Sequence, residues 1–154
     1  MNCELASLGY IKDGDKYLML HRNKKPNDKS EGKYVAIGGK IEHDESPDEA
    51  IVREVKEETG LDVIEYKIKG IVTYPNFYEG VTDYMNIYEI TKVEGETIDC
   101  NEGTLEWLTK EELSKKNMWE GDRLILEWLD HTFFTAKIKY VGDKMEEHSV
   151  KFVD

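Results

Sequence analysis

The chain has 154 residues and a formal net charge of -12, and its 35% charged and 39% hydrophobic residues are typical of one folded domain, which we expect over residues 1–154. No apolar run reaches the roughly 20 residues that cross a bilayer, and no secretory signal begins the chain, so we expect a cytoplasmic protein without a membrane partner. The negative charge disfavours a long nucleic acid, whose phosphates must be neutralised, but it permits a small phosphorylated ligand whose charge is screened by metal ions.

The first forty residues predict short strands and one polar loop. Residues 3–11 and 16–21 are predicted as two strands around a turn at 12–15. Residues 23–32 are polar and predict a loop, and residues 33–37 predict a short strand that runs into Gly38 and Gly39.

A helix with defined ends is predicted at residues 47–59. Ser46 is a favourable N-cap, Pro47 suits the first helical position, and Glu49 completes a capping box. Gly60 is a natural stop for the helix. The side of the helix expected to face the core carries Ile51, Val52, Val55 and Thr59.

The rest of the chain predicts more strands and a second main helix. We expect strands at 62–74 and 81–91 around a loop at 75–80, and a strand at 105–108 followed by a short helix at 110–114. A second main helix is expected at 122–132, and a final hairpin at 136–141 and 149–153. Many strands with two substantial helices favour an α/β fold in which helices cover a mixed sheet.

Three glutamates of the first helix share one face. Glu54, Glu57 and Glu58 are neighbours there because positions i, i+3 and i+4 adjoin on a helix. They repel one another unless a cation intervenes, and Arg53 alone cannot neutralise all three. Mg²⁺ prefers oxygen ligands and keeps waters and substrate phosphates in its shell, so such a cluster suits Mg²⁺, with Mn²⁺ as a substitute. Taken alone, the short pattern also fits a solvated acidic helix face.

A longer pattern decides between these two interpretations. Gly39 is followed after five residues by Glu45, and after seven more by the run REVKEETGL at 53–61. Nine specified positions match without a gap, and with average residue frequencies such a match arises by chance in roughly one in 10⁷ chains. A functional metal site is therefore favoured over an ordinary acidic face.

The segment GGKIEHDESPDEAIVREVKEETGL resembles the Nudix box of the Nudix hydrolase family at every defining position. The resemblance implies a Nudix-type α/β/α sandwich with a mixed, curved sheet between helices, and it places the box in a loop, a helix and a second loop. It also implies an enzyme that hydrolyses a phosphoanhydride bond of a small nucleotide with a divalent metal.

The resemblance also implies roles for individual residues of the box. Arg53 is expected to orient the catalytic glutamate, and Glu45 to support that arrangement through the loop. Spacing alone does not decide whether Glu54 is a ligand or the general base. The implied metal ligands are the carbonyl of Gly39 and the carboxylates of Glu54, Glu57 and Glu58.

Two charged residues outside the helix are further candidates. Lys40 is expected either to contact a substrate phosphate or to be a surface lysine. Glu102 precedes the strand at 105–108, where related MutT-like enzymes place a glutamate as an extra metal ligand or base. The alternative for Glu102 is an exposed turn carboxylate, and Glu106 is the weaker choice because it is expected within the strand.

Residues outside the box indicate the substrate. The stretches LMLHRNKKPND, EGKYVAIGGK, IDCNEGTLEWL and WEGDRLILEWL resemble MutT/MutX-type 8-oxo-dGTP diphosphatases. Trp119 can stack on a purine, and Asp122 can pair with the Watson–Crick edge of an oxidised guanine. The alternatives are core packing for Trp119 and a helix N-cap for Asp122. Val35 stands where some related enzymes carry a base-reading asparagine, which predicts looser selectivity or reading through backbone groups.

Together these features predict a Mg²⁺-dependent nucleoside triphosphate pyrophosphohydrolase. It is expected to convert 8-oxo-dGTP to the monophosphate and pyrophosphate, and so to cleanse the nucleotide pool of oxidised precursors. The alternatives are broader hydrolysis of nucleoside triphosphates, ADP-ribose or capped RNA at the same site, and a Nudix-fold sensor that binds a nucleotide without cleaving it. The complete set of Glu54, Glu57 and Glu58 argues against a sensor, which does not need every metal ligand.

Overall fold

The computed structural model describes residues 2–154, and its strands form one nine-stranded mixed sheet. The strands are β1 Asn2–Asp13, β2 Lys16–His21, β3 Tyr34–Val35, β4 Ile37–Lys40, β5 Asp62–Tyr78, β6 Val81–Glu94, β7 Thr104–Thr109, β8 Phe133–Val141 and β9 Lys144–Val153. The helices are α1 Pro47–Thr59, α2 Lys110–Leu113 and α3 Glu120–Trp128.

The sheet order is β3-β2-β1-β6-β5-β8-β9, with β4 paired to β1 and β7 paired to β2. The pairs β1–β6 and β5–β8 are parallel, and the other pairs are antiparallel. Strand β1 lies in the middle of the sheet, with β6 along one edge and β4 along the other. This arrangement places the half-buried glycine pair of β4 directly against β1.

Two hydrophobic clusters lie on opposite faces of the sheet. Neighbouring residues of one strand alternate between them, so that Tyr10 belongs to one cluster and Ile11 to the other. Helix α1 covers one face through Ile51 and Val55, and α3 covers the other through Ile125 and further apolar residues. The predicted α/β/α arrangement around a mixed sheet is confirmed.

Helix α1 has the predicted bounds. The Ser46 hydroxyl accepts a hydrogen bond from the Glu49 backbone N–H at 3.0 Å, and the Glu49 carboxylate accepts one from the Ser46 N–H at 2.9 Å. Gly60 ends the helix at φ 82°, a left-handed conformation that glycine adopts without strain.

The buried side of α1 differs from the prediction at two positions. Ile51, Val55 and Thr59 are buried as expected, but Val52 is 38% exposed. One residue step turns a helix by about 100°, which carries Val52 away from the sheet. Glu58 takes a buried position instead, and this brings a carboxylate into the protein.

The strand predicted at residues 33–37 is wrong in detail. It is divided into β3 and β4, and Gly38 and Gly39 lie within β4 rather than after a strand. A side-chain carbon added at Gly38 would lie 2.1 Å from the Ser7 carbonyl oxygen of β1. Glycine is required at this position because the two strands approach more closely than a side chain allows.

The loop predicted at 75–80 and the start of the second helix are also wrong. Strand β5 continues to Tyr78, so only a two-residue turn separates it from β6. Helix α3 begins at Glu120 and its N-cap is Trp119, which makes no side-chain capping bond. Asp122 therefore lies inside the first turn and is not the cap.

The final hairpin is confirmed, with longer strands than predicted on both sides of its turn.

None of the helices in residues 2–154 has the length and apolar character needed to cross a membrane. The two cysteines are unbonded, Cys3 on an exposed part of β1 and Cys100 buried in the cluster that faces α1.

The cap of α1 leads to a first prediction. Replacing Ser46 with Ala removes the oxygen that accepts the Glu49 N–H, so we expect the free energy of unfolding to fall by about 1 kcal/mol. Ser46→Asp keeps an acceptor and is the matched control. Urea denaturation of the three proteins measures the difference, and equal stability of Ser46→Ala and the unmodified protein would show that the cap contributes nothing.

Candidate active site

Arg53 organises the carboxylates at the junction of α1 with β4. Its Nε and Nη2 donate to the two oxygens of Glu45 at 2.7 and 2.9 Å, a bidentate pair. Its Nη1 donates to Glu54 at 2.9 Å and to Glu57 at 3.1 Å, and Nη2 also reaches the Lys40 carbonyl at 3.0 Å. The Arg53 hydrogen bond lowers the pKa of Glu45 to about 2. This geometry fits the orienting role implied for Arg53 and the supporting role implied for Glu45.

Glu58 is the most buried carboxylate of α1, with 9% of its surface exposed. Its Oε2 accepts a hydrogen bond from the Gly38 backbone N–H at 3.0 Å, which ties α1 to β4. Burial, followed by the charge of Glu54 and a hydrogen bond with Glu102, raises the pKa of Glu58 to about 9. Three carboxyl groups from the helix and a distant loop therefore meet at one place.

Glu102 reaches this place from the loop before β7. The loop lies against the end of β2, where a side-chain carbon added at Gly103 would be 1.9 Å from the His21 carbonyl oxygen. Lys25 donates to Glu102 Oε1 at 2.9 Å, and Arg22 Nη1 donates to Oε2 at 3.3 Å. Burial opposes ionisation of Glu102, but the hydrogen bonds from Lys25 and Glu58 and the charge of Arg22 lower its pKa overall.

The donors at this junction suit a hard divalent cation. Every candidate group is an oxygen, and burial places Glu58 and Glu54 where their negative charge lacks solvent, so a cation would stabilise them. A side-chain carbon at Gly39 would lie 2.6 Å from Glu54 Oε1, so only glycine leaves its backbone open to the carboxylate. In residues 2–154, no three His, Cys, Asp or Glu side chains are already arranged as metal ligands. The Glu57 side chain is 58% exposed, and its ion pair with Arg53 holds it toward the other carboxylates.

An aromatic cavity of about 180 Å³ adjoins the carboxylates. Gly38 and Arg22 line it, and both also contact the carboxylate group, so the two features are continuous. Its walls include Tyr74, Phe77, Tyr78, Trp119 and Tyr140. A cavity with apolar walls and a few polar groups is the usual form of a small-molecule site.

Trp119 is both a core residue and a wall of this cavity. Only 5% of it is exposed, and its ring packs edge-on against Phe77 and Tyr140, with centroids 5.3 and 5.0 Å away. Its Nε1 donates to the Ser30 hydroxyl at 2.9 Å, which anchors the indole. The two interpretations of Trp119 are therefore compatible.

Asp122 lines the cavity from the first turn of α3 and is 8% exposed. Burial raises its pKa to about 7, although the charges of Lys33 and Arg123 act in the opposite direction. A carboxyl with this pKa exists in both protonation states near neutral pH, so it can donate or accept a hydrogen bond.

Lys40 lies apart from the cavity. It is 74% exposed and its Nζ pairs with Glu4 at 3.0 Å. Glu106 lies within β7, as expected.

Two residues of the site were not predicted from the sequence. Asp83 lines the cavity from β6, and Arg22 donates a hydrogen bond to Glu102. The sequence offers only a weak signal for Asp83, which shares one strand face with Met85 and Ile87 but also with Glu89.

The chain belongs to the Nudix family. Residues 5–129 match the model of the NUDIX domain. The family supports a hydrolase that acts on phosphoanhydride bonds, and its enzymes generally use divalent metal ions and small nucleotide substrates.

Individual relatives agree with this family. The chain is 29% identical over 124 residues to the uncharacterized Nudix hydrolase YvcI of Bacillus subtilis, covering 77% of this chain and 74% of that protein. It is 28% identical over 127 residues to the oxidized purine nucleoside triphosphate hydrolase of Danio rerio, covering 80% of each.

Solved structures share the fold. The crystal structure of a MutT protein from Bacillus halodurans has a TM-score of 0.84 and 28% identity, covering 96% of this chain and 97% of that one. A MutT protein from Methanosarcina mazei has a TM-score of 0.71 at 24% identity, covering 84% and 94%, which shows the fold alone.

The pKa of Asp122 leads to a second prediction. The folded protein keeps this proton to about pH 7, whereas an unfolded aspartate loses it near pH 4. The free energy of unfolding therefore falls as the pH rises through this window, by up to about 4 kcal/mol from this group. Asp122→Asn removes that contribution, so its stability relative to the unmodified protein should increase between pH 4.5 and 8.

Urea denaturation at four pH values in this range measures the effect. The matched control is the same substitution at Asp143, which lies in the exposed β8–β9 turn. A stability difference between Asp122→Asn and the unmodified protein that stays constant with pH is the result that contradicts the prediction.

Proposed function

We propose that the protein is a Mg²⁺-dependent nucleoside triphosphate pyrophosphohydrolase that prefers 8-oxo-dGTP and releases the monophosphate and pyrophosphate. The observation that carries this proposal is the continuity, at Gly38, of a buried carboxylate group with an aromatic cavity. The named activity of the Danio rerio relative supports an oxidised purine as substrate. The biological role would be the removal of oxidised precursors from the nucleotide pool.

The metal would be held by oxygen atoms of the carboxylate group. The proposed ligands are Gly39 through its carbonyl, Glu57 and Glu58, with Glu102 as an extra ligand. Glu54 is either a further ligand or the base. When bound, Mg²⁺, or Mn²⁺ in its place, supplies charge that stabilises the phosphate oxygens and the leaving group. The phosphate chain would lie along β4, and Lys40 at the end of this strand would contact a phosphate only if it left its pair with Glu4.

Glu54 is the better candidate for the base that takes a proton from the attacking water. Both oxygens of Glu102 are already bonded, to Lys25 and Arg22. Among residues 2–154, Glu54 uses only Oε1, for Arg53, which leaves Oε2 for the proton. Arg53 fixes the direction of this carboxylate, so its loss would misplace the base.

The cavity would hold the base of the nucleotide. Trp119 and its aromatic neighbours offer a stacking surface, worth about 1–3 kcal/mol per base. Asp122, which lines the cavity, would pair with the Watson–Crick edge of an oxidised guanine as a donor when protonated or as an acceptor when ionised. Val35 also lines the cavity, so no asparagine reads the base from that position.

The third prediction concerns the glutamates of α1. Glu57→Gln and Glu58→Gln each remove one negative ligand, so we expect pyrophosphate release with Mg²⁺ to fall by about 10²-fold or more, while the helix persists. Circular dichroism verifies folding, and Glu111→Gln on the exposed side of α2 is the control. Near-normal turnover in both α1 variants is incompatible with the proposed metal site.

The fourth prediction concerns the substrate. In a panel of 8-oxo-dGTP, dGTP, 2-hydroxy-dATP, ADP-ribose and capped RNA with Mg²⁺ or Mn²⁺, we expect the highest kcat/KM for 8-oxo-dGTP and no turnover with a chelator. A higher kcat/KM for ADP-ribose or capped RNA would indicate a different substrate for the same site. Tight nucleotide binding without any turnover would indicate a sensor.

A further inference from the structure

Asp83 is a buried carboxylate that neither the metal site nor the base contacts above require. It lies on β6, is 5% exposed, and lines the aromatic cavity. Its Oδ1 is fully buried and accepts no hydrogen bond from any group in residues 2–154. Buried polar atoms in folded proteins are almost always hydrogen-bonded, so an acceptor of this kind at a cavity wall points to a donor on a ligand.

The nearby cations are engaged elsewhere. Lys40 pairs with Glu4 at 3.0 Å, and Lys29 donates to the Phe77 carbonyl while its Nζ lies 3.9 Å from the centre of the Phe77 ring. Burial raises the pKa of Asp83, and Glu4 raises it further, against the charges of Lys40 and Lys29. Within the described part of the chain, Asp83 is therefore not one half of an ion pair.

Asp83 and Asp122 approach the cavity from different elements. Tyr74 of β5 is the register partner of Asp83 across the strand pair, and it also lines the cavity. The pKa of Tyr74 is raised by burial first and then by Asp122, with a smaller contribution from Asp83, so its ring lies within the field of both carboxylates. Because both carboxylates line the cavity, a flat ligand there can meet Asp83 from the sheet and Asp122 from helix α3.

Oxidation of a purine changes one edge in a way that a carboxylate can detect. In guanine, N7 carries a lone pair and accepts hydrogen bonds. In the 8-oxo form, C8 becomes a carbonyl carbon and N7 carries a hydrogen, so the same position becomes a donor. A carboxylate facing N7 accepts this hydrogen but repels the lone pair of the undamaged base.

We propose that Asp83 is a specificity-determining residue that accepts a hydrogen bond from N7–H of an 8-oxopurine nucleotide. The proposal rests on the proposed function, which it deepens by assigning the oxidised edge to Asp83 and the Watson–Crick edge to Asp122. A site that holds an unpaired buried acceptor rejects a ligand lacking the matching donor, because the acceptor then stays unpaired. Val35 leaves no polar side chain at its own position in the cavity, whereas Asp83 and Asp122 both line it.

The test compares kcat/KM for 8-oxo-dGTP, dGTP and 2-hydroxy-dATP in the unmodified protein and in Asp83→Asn. Asparagine has nearly the same shape, but its amide can either accept from N7–H or donate to N7. We expect the ratio of kcat/KM for 8-oxo-dGTP to that for dGTP to fall by at least about tenfold. The value for 2-hydroxy-dATP, which has no N7–H, should not fall.

Glu4→Gln is the matched control because it removes one negative charge at the register partner of Asp83 on β1 without removing a cavity carboxylate. Its ratio for 8-oxo-dGTP over dGTP should match that of the unmodified protein. Asp83→Leu, which has neither donor nor acceptor, should lower the ratio as well. Calorimetric binding of 8-oxo-dGMP and dGMP gives the same comparison without turnover for any variant that is poorly active, and thermal unfolding shows that each variant is folded.

The outcomes separate the two proposals. If the unmodified protein prefers 8-oxo-dGTP and Asp83→Asn keeps the same ratio, the role of Asp83 is wrong and the proposed function stands. An equal loss for all three nucleotides would assign Asp83 to the sugar or to the fold and would also overturn the proposal. If the unmodified protein neither hydrolyses nor binds 8-oxopurine nucleotides, both proposals fail.

Discussion

The arrangement of the candidate site depends on the hydrogen bonds that the Arg53 guanidinium donates. The guanidinium joins the loop before α1, the helix itself and the end of β4, because its nitrogens bond Glu45, two helix glutamates and the Lys40 carbonyl. Without this cation, the carboxylates would repel one another at close range in a poorly solvated place. A lysine offers a point charge and cannot provide the planar fork that holds Glu45 with two hydrogen bonds.

The fold supports Arg53 by fixing where α1 begins and how close it lies to the sheet. The capping box at Ser46 and the left-handed Gly60 define the length of the helix, and Ile51 and Val55 fix its rotation by packing on the sheet. That rotation turns Glu58 inward, where the Gly38 N–H meets it. Local signals in the sequence thus set the position of a carboxylate that is paired with a residue twenty positions away.

Those local signals explain which features were predictable. The bounds of α1 follow from caps that act within a few residues, so the sequence predicts them correctly. The start of α3 was not predictable in this way because Trp119 caps it without a side-chain bond. The cavity residues required tertiary information, since the burial of Asp83 depends on the pairing of β6 with β1 and β5. The carboxylates of the box could be predicted from the sequence, whereas the contacts of Glu102 with Arg22 and Lys25 could not.

The distribution of charge places a group of cations beside the acidic site, although the whole chain is negative. Although the net charge is -12, the segment between β2 and β3 carries a concentration of cations at Arg22, Lys24, Lys25, Lys29 and Lys33. Arg22 lines the cavity, and Lys33 lies over the Trp119 ring at 4.8 Å. Cations beside a cavity attract small anions, while the acidic remainder of the chain repels a long polyanion that must lie across the surface. The same charge pattern therefore favours a short phosphate chain over a nucleic acid before any base contact is made.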